Sequence, residues 1–545
     1  MHAENGCLLP IVFALVTAVM AGCGGGGGGG GPSEPAAKVA CDRLASLSIA
    51  PGQIGLATKG AVASQATLVA ATSADVEYCR VDGTIVSVDP AASPILFEIR
   101  LPTAWNGKLM QLGGGGWDGD LGPAMQTFSL IGPESPTARG YAVVASDGGH
   151  ESASGDASFA LNAEELQNFG GDQIKKTHDA ATSVIQARYA AQPGKSYFVG
   201  ASNGGREAFA AFQRWPGDYD GVLALMPAFD LTATLLKLQL IDRAMRGNGS
   251  GGWFNPAEAV ALDVAASDKC DALDGLAEGI VSNPAACNFD AASRVAAARC
   301  PGGVDAGNFC LSDIQIGTYA LMSSVTPLPY VLDNGVAALP AYTQDAQWYS
   351  MLGNFPDFHA NPTMADIGPP FWYADQFVRY VLLRDPGADS LEFDPLHPGA
   401  ALARIQEVSA IVDQTNPDID AYLSKGGKLI VLHGQADAFV PTPPTIDYYR
   451  ALVQRYGQER VDGAVRLYIV PGFGHSTGAF NPEGSLPAFD ALENWVEQAV
   501  APGNLVAHNA SSTVNALARP LCVYPTYPKY LGQGSPDDAA SFTCS

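Results

Sequence analysis

The sequence predicts an α/β fold in which one long insertion interrupts a mainly parallel sheet. Between residues 141 and 201, two apolar strand-like runs flank a helical segment, which is the pattern of a parallel β-α-β unit. Similar buried-strand runs return at 428–434 and 465–471, after a long stretch with few of them. A Gly-x-Ser-x-Gly turn centred on Ser202 joins one of these strands to a helix. These three observations indicate the fold class.

The predicted sheet begins with short alternating runs of strand-forming residues. Residues 84–88, 95–101 and 108–112 alternate apolar and polar side chains and are separated by Pro and Gly, which predicts short strands. The strand at 108–112 continues directly into four glycines at 113–116. Because glycine has no side chain, such a run lets backbone N–H groups approach a ligand closely. The alternative is an ordinary flexible turn.

The next strand and helix lead to the Ser202 turn. Residues 141–146 form a buried-strand run, and apolar residues at helical spacing predict a helix over 172–190. The strand at 195–201 then ends in Gly-Ala-Ser202-Asn-Gly, and a helix-forming segment follows. A sharp strand-to-helix turn of this kind exposes a serine hydroxyl at the edge of a sheet. The chain has 61 glycines, so the motif alone is weak evidence and needs partners downstream.

The rest of the chain divides into an insertion and a resumed core. Beyond the strand at 221–227, residues 230–424 combine helical stretches with loops rich in Gly and Pro, so we expect a lid domain there. An amphipathic helix at 488–499 and a loop-rich tail follow the resumed strands. We therefore expect the first part of the core at 41–229, and its second part with the tail at 425–545.

The N-terminal residues predict export. The apolar run at 8–22 is too short for a membrane span and ends in Met-Ala-Gly-Cys23, which resembles the site where bacterial lipoproteins are cleaved and lipidated. Residues 1–22 would be the signal peptide, Cys23 the lipidated residue and 23–40 a glycine-rich tether. The alternative is an ordinary signal peptide cleaved nearby. No Lys or Arg precedes the apolar run, although a basic segment is usual there.

Composition narrows the possible partners. The 545 residues carry a net charge of −25, from 30 basic and 55 acidic side chains. Phosphate binding needs a basic surface, so nucleic acid is not an expected partner. Hydrophobic residues make up 47% of the chain, which is enough for a packed globular core. We expect a small-molecule substrate and membrane contact only through the N-terminal lipid. The oligomeric state stays open.

Ten cysteines in an exported chain favour disulfide bonds. Cys7 leaves with the signal peptide and Cys23 takes the lipid, so eight of the ten remain. Sequence does not determine their connectivity, and pairing of nearest neighbours is the simplest choice. It gives Cys41–Cys79, Cys270–Cys287, Cys300–Cys310 and Cys522–Cys544. A zinc site is the weaker alternative, because no Cys-x-x-Cys pair or cluster of histidines accompanies them.

A nucleophilic serine needs a base, and the base needs a carboxylate that orients it. The strand at 428–434 runs into a loop that holds Asp437, and the strand at 465–471 runs into Pro-Gly-Phe-Gly-His475. The order Ser, Asp, His, each after a strand, is that of α/β-hydrolases. Both loops follow the carboxyl ends of strands, where ligands bind in open α/β sheets. We predict Ser202 as nucleophile, His475 as general base and Asp437 as orienting acid.

Other histidines and aspartates fit this order less well. His433 precedes Asp437 on the same loop, which would reverse the order of acid and base. Asp413 and Asp447 are the nearby alternatives to Asp437, but neither directly follows a strand end. The sequence therefore favours Asp437 and His475.

The oxyanion of ester cleavage needs backbone N–H donors. In α/β-hydrolases the residue after the nucleophile supplies one donor, and a loop after an earlier strand supplies the other. Here the first is Asn203, and the second is Gly115 or Gly116 in the glycine run. Because that run follows a strand and precedes the Ser202 turn in the chain, we favour this function over a flexible turn.

Several segments resemble the tannase and feruloyl esterase family. The stretch Pro-Gly-Lys-Ser-Tyr-Phe-Val-Gly-Ala-Ser202-Asn-Gly-Gly-Arg is similar to its nucleophile turn, and Trp-Pro-Gly-Asp-Tyr-Asp-Gly-Val222 matches the segment after that turn. The segments His-Gly-x-x-Asp437-x-x-Val-Pro and Pro-Gly-x-Gly-His475 match as well, so the resemblance runs from about Cys41 to the C-terminus. It implies an α/β-hydrolase core with a large inserted lid that shapes a pocket for aromatic acyl groups.

The resemblance also implies a calcium site in the lid. Family members usually carry Asp-x-x-Asp-Gly-x-x-Asp-Gly after a cysteine, and here a glutamate replaces the last Asp. Closely spaced carboxylates with glycine turns suit a hard cation such as Ca²⁺. The implied ligands are three side chains and two backbone carbonyls, namely Asp271, Asp274 and Glu278 with Leu276 and Ile280. The ion would be structural, and the alternative is an acidic solvated loop.

One departure from the family concerns the nucleophile and the base. Relatives usually carry a cysteine before the catalytic serine and another after the catalytic histidine, joined by a disulfide. Ala201 and Ser476 occupy these positions here. Packing and hydrogen bonds alone must then hold Ser202 and His475, so we expect a looser catalytic loop in an active enzyme.

The predicted function is a serine carboxylic-ester hydrolase that cleaves esters of aromatic acids, phenolic or terephthalate-like, through an acyl-enzyme. One alternative is a general or aliphatic oligoester carboxylesterase on the same fold. Another is a surface binding protein that lost activity, although an intact set of Ser, Asp and His argues against it. Aromatic residues at 370–373 and 377–380, with Arg379 among them, either select the substrate or form the lid core.

Overall fold

The computed structural model describes residues 38–153, 155–247, 251–287, 298–308, 310–348, 352, 363–509 and 517–545. The expected signal peptide at 1–22 and the lipidated Cys23 lie outside these ranges, as does most of the tether at 23–40. No helix in this described part of the chain is long and apolar enough to cross a membrane.

Twelve strands carry the sheets of the core and the insertion. They are β1 Ser48–Ile49, β2 Ala61–Val69, β3 Tyr78–Ile85, β4 Ile95–Pro102, β5 Lys108–Leu112, β6 Ala142–Ser146, β7 Lys195–Ala201, β8 Gly221–Leu225, β9 Thr326–Pro327, β10 Ala338–Leu339, β11 Lys428–Gly434 and β12 Val465–Val470. The tail adds two short hairpins, formed by β13 Leu505–His508, β14 Ala518–Leu521, β15 Pro528–Tyr530 and β16 Phe542–Cys544.

Ten of these strands form one mixed sheet in the order β1-β2-β3-β4-β6-β5-β7-β8-β11-β12. The pairs from β1 to β4, and β4 with β6, are antiparallel. From β6 onward all pairs are parallel. The predicted α/β class is therefore confirmed, with an antiparallel edge added to a parallel sheet.

The strand predicted at 84–88 is wrong at its C-terminal end, because β3 stops at Ile85. The backbone N–H of Val88 donates to the Glu164 carboxylate at 2.9 Å, and the Val88 side chain is exposed. The alternation of apolar residues thus continues past the point where the backbone leaves the sheet.

The helices of the described residues lie between these strands. They are α1 Leu121–Gln126, α2 Ala163–Gln167, α3 Gln173–Tyr189, α4 Asn203–Arg214, α5 Leu231–Arg246, α6 Pro256–Cys270, α7 Asp313–Met322, α8 Met364–Ile367, α9 Pro369–Gln376, α10 Leu402–Val412, α11 Asp420–Lys425, α12 Thr442–Tyr456, α13 Gln458–Asp462 and α14 Ala488–Gln498. The predicted helices at 172–190 and 488–499 correspond to α3 and α14 within two residues.

The central strands are buried on both faces. Tyr197 of β7 faces one side and stacks edge-on against Phe489 of α14, with ring centroids 5.5 Å apart. Phe198, the next residue, faces the other side and contacts Tyr219 in the same geometry at 5.5 Å. Because neighbouring residues of a strand point to opposite faces, a strand covered by helices on both sides needs a continuous apolar run.

The insertion leaves the sheet after β8 and returns to it at β11, which pairs directly with β8. The expected lid at 230–424 lies between these two neighbouring strands. Its helices α5, α9 and α10 share one apolar cluster with buried residues such as Leu236, Phe371, Phe377 and Val408. The division of the chain into core and lid domains stays a prediction.

Four disulfides tie the chain locally. The structure joins the eight cysteines in consecutive pairs along the chain, as predicted, which gives Cys41–Cys79, Cys270–Cys287, Cys300–Cys310 and Cys522–Cys544. The first ties the start of the described chain to β3, and the last closes the tail across β15 and β16.

Candidate active site

Ser202 occupies a strained turn between β7 and α4. Its φ of 58° and ψ of −120° lie in a region that residues other than glycine rarely adopt. The Ser202 N–H donates to the Leu225 carbonyl at 2.9 Å, and the Ser202 carbonyl accepts from the Ala228 N–H at 3.1 Å. A side chain on Gly200 would collide with the Gly204 carbonyl, so the turn closes only with glycine there.

His475 lies between Ser202 and Asp437. Its Nε2 is 3.1 Å from the Ser202 Oγ, and its Nδ1 is 2.7 Å from the Asp437 Oδ2. The second carboxylate oxygen of Asp437 accepts the backbone N–H groups of Phe439 and Val440, each at 2.8 Å. The structure therefore places the three predicted residues in one hydrogen-bonded chain.

The electrostatics of this pair suit a base held beside a carboxylate. Burial lowers the pKa of His475, but the charge and hydrogen bond of Asp437 raise it by more than burial lowers it. The pKa of His475 therefore lies above its ordinary value. Burial raises the pKa of Asp437, and the charge of His475 and hydrogen bonds from His433 and His475 take it well below its usual range. An ionised Asp437 fixes the ring proton on Nδ1, which leaves Nε2 free to accept a proton from serine.

The competing residues have other partners. His433 is fully buried behind Asp437, and its nitrogens lie 2.8 Å from the Thr445 hydroxyl and 3.0 Å from the Val440 carbonyl. Its Nε2 is also 3.5 Å from the Asp437 Oδ2, the same carboxylate oxygen that His475 contacts. Asp413 accepts the Thr232 N–H at 2.8 Å, and Asp447 pairs with Arg450 on the surface.

The glycine run packs against the start of α4. The Gly114 N–H donates to the Glu207 carboxylate at 3.0 Å, and the Thr127 hydroxyl donates to the Gly113 carbonyl at 2.7 Å. The Gly115 carbonyl accepts the Asp118 N–H at 2.9 Å and so closes a turn. Gly116, with a φ of 62°, is the member of the run that lines the pocket at Ser202.

Asn203 lines the same pocket. As the first residue of α4, its backbone N–H has no acceptor within the helix. Its side chain donates to the Asp118 carboxylate at 2.9 Å and accepts from the Arg206 Nε at 2.7 Å. Asn203 and Gly116 thus both line the pocket that contains Ser202, and their role as oxyanion donors stays a prediction.

A pocket of about 220 Å³ opens at Ser202. It is lined by Gly116, Trp117, Ser202, Asn203, Ala228, Leu231, Thr234, Leu235, Tyr373, Phe439, Val440 and His475. These lining residues include no Lys, Arg, Asp or Glu. The pocket is thus apolar with aromatic walls, and its polar groups gather at the serine.

The sequence did not identify several of these lining residues. Leu231, Thr234 and Leu235 belong to α5, whose apolar pattern is that of any buried helix. Phe439 lies two positions after Asp437, and this spacing was the one signal available. Tyr373 belongs to the predicted aromatic stretch and contacts the Phe439 ring at a centroid distance of 5.4 Å.

The other aromatic residues of that stretch have structural partners. Phe371 and Phe377 are fully buried in the lid core. Arg379 makes a hydrogen bond of 3.0 Å to the Pro386 carbonyl and one of 3.3 Å to the Asp375 carboxylate. Of the residues at 370–373 and 377–380, Tyr373 alone is among the described lining residues of the pocket.

Backbone hydrogen bonds hold the His475 loop. The Gly474 N–H donates to the Thr477 carbonyl at 2.7 Å, and the Ala436 N–H donates to the Phe473 carbonyl at 2.8 Å. Ser476 is exposed beside His475, and Ala201 is buried before Ser202. The second of these bonds links the loop of the base to the loop of the acid without a covalent tie.

The expected calcium segment is partly occupied by its own backbone. The Asp271 carboxylate accepts three N–H groups, from Glu278, Gly279 and Ile280. The Asp274 Oδ2 and the Glu278 Oε2 are buried without a hydrogen-bond partner, and the Glu278 Oε1 lies 3.3 Å from Arg519. Asp274 and Glu278 thus each keep one carboxylate oxygen without a partner, and such oxygens are the ligands that a hard cation prefers.

Another acidic group already has a counter-charge. Among the described residues, His178, Asp179 and Asp218 form a group of three metal-ligand side chains within 4.8 Å of one another. The Lys175 ammonium is 2.8 Å from Asp179 and 3.0 Å from Asp218. The lysine therefore balances one of the two carboxylate charges in this cluster.

Known proteins share this sequence and fold. The family described as "Tannase and feruloyl esterase" matches residues 79–545. An uncharacterized esterase of Agrobacterium fabrum is 35% identical over 514 residues, which are 93% of each chain. The mono(2-hydroxyethyl) terephthalate hydrolase of Piscinibacter sakaiensis is 30% identical over 532 residues, 88% of this chain and 87% of that one. The crystal structure of feruloyl esterase B from Aspergillus oryzae has a TM-score of 0.73, covering 91% of this chain and 98% of its own at 21% identity.

The solved structure supports the α/β-hydrolase fold, and the sequence matches confirm the resemblance that the motifs indicated. The match over residues 79–545 spans both parts of the core and the insertion between them. The chain belongs to the tannase and feruloyl esterase family and is a carboxylic ester hydrolase.

Proposed function

We propose that this protein hydrolyses carboxylic esters of uncharged aromatic acids through Ser202, His475 and Asp437. The observation that carries the proposal is the hydrogen-bonded chain of these three side chains at the opening of an apolar pocket. The family supports ester hydrolysis in general, and the geometry supports these residues as the machinery.

The reaction would proceed in two halves. His475 Nε2 accepts the Ser202 proton while the serine oxygen bonds to the ester carbonyl carbon, and the backbone N–H groups of Asn203 and Gly116 stabilise the oxyanion. The oxyanion then collapses, the bond to the alcohol oxygen breaks, and His475 gives its proton to the departing alcohol. Water repeats the sequence on the acyl-enzyme, with His475 again as base, and releases the acid and free Ser202.

The pocket favours an aromatic acid without a second charge. The rings of Trp117, Tyr373 and Phe439 provide flat apolar walls, which suit an aryl group. No Lys or Arg is among the described lining residues. A carboxylate on the ring would lie unpaired in this pocket, and burying an unpaired charge is costly. Esters of phenolic acids are therefore favoured as substrates over half-esters of terephthalate.

A general carboxylesterase is the second candidate function. Ala228, Leu231, Leu235 and Val440 form an aliphatic part of the pocket wall. Aliphatic acyl chains bury their surface there as favourably per unit area as aromatic ones.

A hydrolysis panel separates these functions. We would compare kcat/KM for methyl ferulate, methyl gallate, mono(2-hydroxyethyl) terephthalate and p-nitrophenyl butyrate. The proposal expects the two phenolic esters to be the best substrates and the charged terephthalate ester to be at least about ten-fold poorer, since one unpaired buried charge costs more than about 1.4 kcal/mol. A clear preference for the butyrate would support the general esterase, and preference for the terephthalate ester would contradict the uncharged acyl group.

We propose in addition that the lid segment binds Ca²⁺. Asp274 and Glu278 would supply side-chain oxygens, and the orphaned state of one oxygen on each supports this assignment. The Leu276 and Ile280 carbonyls complete the expected set, whereas Asp271 holds the loop through its three backbone hydrogen bonds. The ion would neutralise two buried carboxylates and stabilise the loop.

We further propose export with a lipid on Cys23. Disulfides persist in oxidising compartments, so the four disulfides fit an exported protein. Metabolic labelling with an alkyne-tagged fatty acid tests the anchor. We expect Cys23→Ala to lose the label, and we expect the wild-type chain and Cys7→Ala to keep it. Label that persists in Cys23→Ala would contradict the lipid site.

A further inference from the structure

A second cavity, of about 320 Å³, opens where residues of the insertion meet α12 of the core. It is lined by Phe229, Asp230, Val325, Asn334, Val336, Ala338, Leu339, Pro340, Ala341, Thr415, Pro417, Pro443, Pro444, Asp447, Tyr448 and Ala451. None of these residues lines the pocket at Ser202. Its volume is at the lower end of the range for small-molecule sites.

The lining of the cavity includes a buried carboxyl group, Asp230, one oxygen of which has no hydrogen-bond partner. Asp230 is 8% exposed, and its Oδ1 accepts no hydrogen bond. It precedes α5 at the position where an aspartate normally caps a helix, yet its side chain makes no such bond. Asp413 accepts the Thr232 N–H of that first turn instead, at 2.8 Å. The Asp230 side chain thus does not cap α5, and its unpartnered oxygen can accept a hydrogen bond from a ligand.

The charged residues that line the cavity are two aspartates, Asp230 and Asp447. Asp413, 6% exposed, lies close enough to Asp230 to be affected by its charge. Asp447 stands at the exposed rim, 3.3 Å from Arg450. The lining contains no Lys or Arg. Arg206, whose charge acts on Asp413, is not among the lining residues and donates to the Asn203 side chain and to the Phe169 carbonyl.

The remaining walls are mainly apolar and aromatic, with Asn334 and Thr415 as the uncharged polar residues of the lining. The rings of Phe229 and Tyr448 lie 5.3 Å apart at 58°, and four prolines surround them. Aromatic faces attract cations as well as apolar groups. The N-terminal end of α5 carries a partial positive charge of about half an elementary charge, which would repel a cation. This charge is smaller than the negative charge of one ionised aspartate.

From these contacts we infer that the cavity is a binding site for a small organic cation, an ammonium group on an apolar body. The ammonium would donate to Asp230, and the apolar body would pack between the proline and aromatic walls. A buried carboxylate gains a partner in this way, which removes the free-energy penalty of leaving it unpaired. The site is separate from the ester pocket and does not depend on which ester is cleaved.

Benzylammonium is the probe, and benzyl alcohol is its uncharged counterpart. Burial raises the pKa of Asp230 to about 7, so the full-length protein is titrated at pH 8 by calorimetry, with the melting temperature as a second readout. We expect saturable binding of benzylammonium and a rise in melting temperature with its concentration. Benzyl alcohol should bind at least ten-fold more weakly. Equal binding of the two, or no binding, would overturn the proposal.

Variants then locate the site. Asp230→Asn should weaken benzylammonium binding at least ten-fold, whereas Asp447→Asn, at the exposed rim, should change it less than three-fold. Should Asp230→Asn fail to fold, Ala451→Trp fills the cavity from α12 and should abolish binding while ester hydrolysis persists. Binding should also survive covalent blocking of Ser202 with a fluorophosphonate. Unchanged affinity in both Asp230→Asn and Ala451→Trp, or loss of binding on blocking, would place the ligand elsewhere.

Discussion

At the scale of single residues, Asp437 is the centre of the candidate active site. Both of its carboxylate oxygens are used, one by two backbone N–H groups and the other by His475, with His433 nearby. A buried carboxylate satisfied in this way stays ionised and holds one tautomer of the base. Ser202 depends on that tautomer, because only an unprotonated Nε2 accepts its proton.

The first prediction concerns the nucleophile. Ser202→Ala should lower kcat by a factor on the order of 10⁴ or more, because the covalent step is lost while binding remains. Ser476→Ala is the matched control, since this serine is exposed next to His475 and its side chain takes no part in the proposed mechanism. It should retain activity within a few-fold. Equal activity of wild type and Ser202→Ala at equal fold content would remove Ser202 from the mechanism.

The second prediction concerns pH. The base must be neutral to act, so kcat/KM should fall as pH drops through the raised pKa of His475, with the acid limb above about pH 6.5. Asp437→Asn removes the charge that raises this pKa. It should shift the limb to lower pH and lower kcat by about 10⁴-fold through the wrong tautomer. An acid limb that stays in place in Asp437→Asn would contradict the assignment.

The free energy of unfolding should depend on pH in a different way from kcat/KM. The pKa of Asp437 is lowered on folding, so its ion pair stabilises the native state above its unfolded value of about 3.9. That stabilisation is lost only as pH falls toward the lowered pKa. The raised pKa of His475 works in the opposite direction, since its contribution is present below the unfolded value and is lost as pH rises. A melting temperature that does not fall between pH 7 and pH 5 would therefore assign the loss of activity to protonation of the base and not to unfolding.

At the scale of elements, the glycine run and the start of α4 touch backbone to backbone. A Cβ on Gly204 would lie 2.6 Å from the Gly114 carbonyl oxygen, and one on Gly113 would lie 2.8 Å from the Gly204 Cα. Glu207 of α4 secures the contact by accepting the Gly114 N–H at 3.0 Å. The position of Gly116 at the pocket thus depends on how closely α4 approaches the run.

The third prediction tests this contact. Gly204→Ala should push the glycine run away from Ser202 and lower kcat by about 10² to 10³, the usual effect of losing one oxyanion donor. Gly217→Ala is the matched control, because a Cβ there meets no atom within 4 Å. It should leave kcat and the melting temperature within error of wild type. Similar kcat values for the two variants would mean that the run does not need this close approach.

The elements that carry Ser202, Asp437 and His475 were predictable because their signals are local. Each is a buried-strand run that ends in a short loop, and the strand predicted at 428–434 matches β11 residue for residue. The walls of the pocket were not predictable in the same way. Thr234 and Tyr373 lie far apart in the chain, and only the packing of α5 against α9 brings them to Ser202. Hydrophobic periodicity predicts that one face of a helix is buried, but it does not predict which residues that face contacts.

At the scale of the whole molecule, the segment proposed to bind Ca²⁺ contacts both loops that carry the proposed catalytic residues. The Gln435 side chain, on the loop of Asp437, donates to the Val281 carbonyl at 2.6 Å. A Cβ on Gly472, three residues before His475, would lie 3.1 Å from the Ile280 side chain. Glu278 contacts Arg519 of the tail. The segment is remote from the triad in sequence but adjacent to both of its loops in space, which sequence spacing alone could not show.

The fourth prediction follows from this position. Removing Ca²⁺ with EDTA should lower the melting temperature and also reduce kcat, because the loops of Asp437 and His475 rest on the segment. A site saturated at about a hundred times its Kd contributes about 2.7 kcal/mol, so the melting temperature should fall by several degrees. Ca²⁺ should restore it better than Mg²⁺, whose geometry is stricter.

Asp274→Asn should reproduce the effect of EDTA and make the protein insensitive to it, because it removes the charge from one of the two orphaned carboxylates. Asp305→Asn, on the exposed surface of the lid, removes the same charge and should keep the wild-type response. If EDTA lowers the melting temperature of Asp274→Asn as much as that of wild type, the ion binds elsewhere. If EDTA changes neither stability nor kcat of the wild type, Arg519 and the loop backbone alone stabilise Glu278 and its neighbours, and the segment is an acidic loop without a metal.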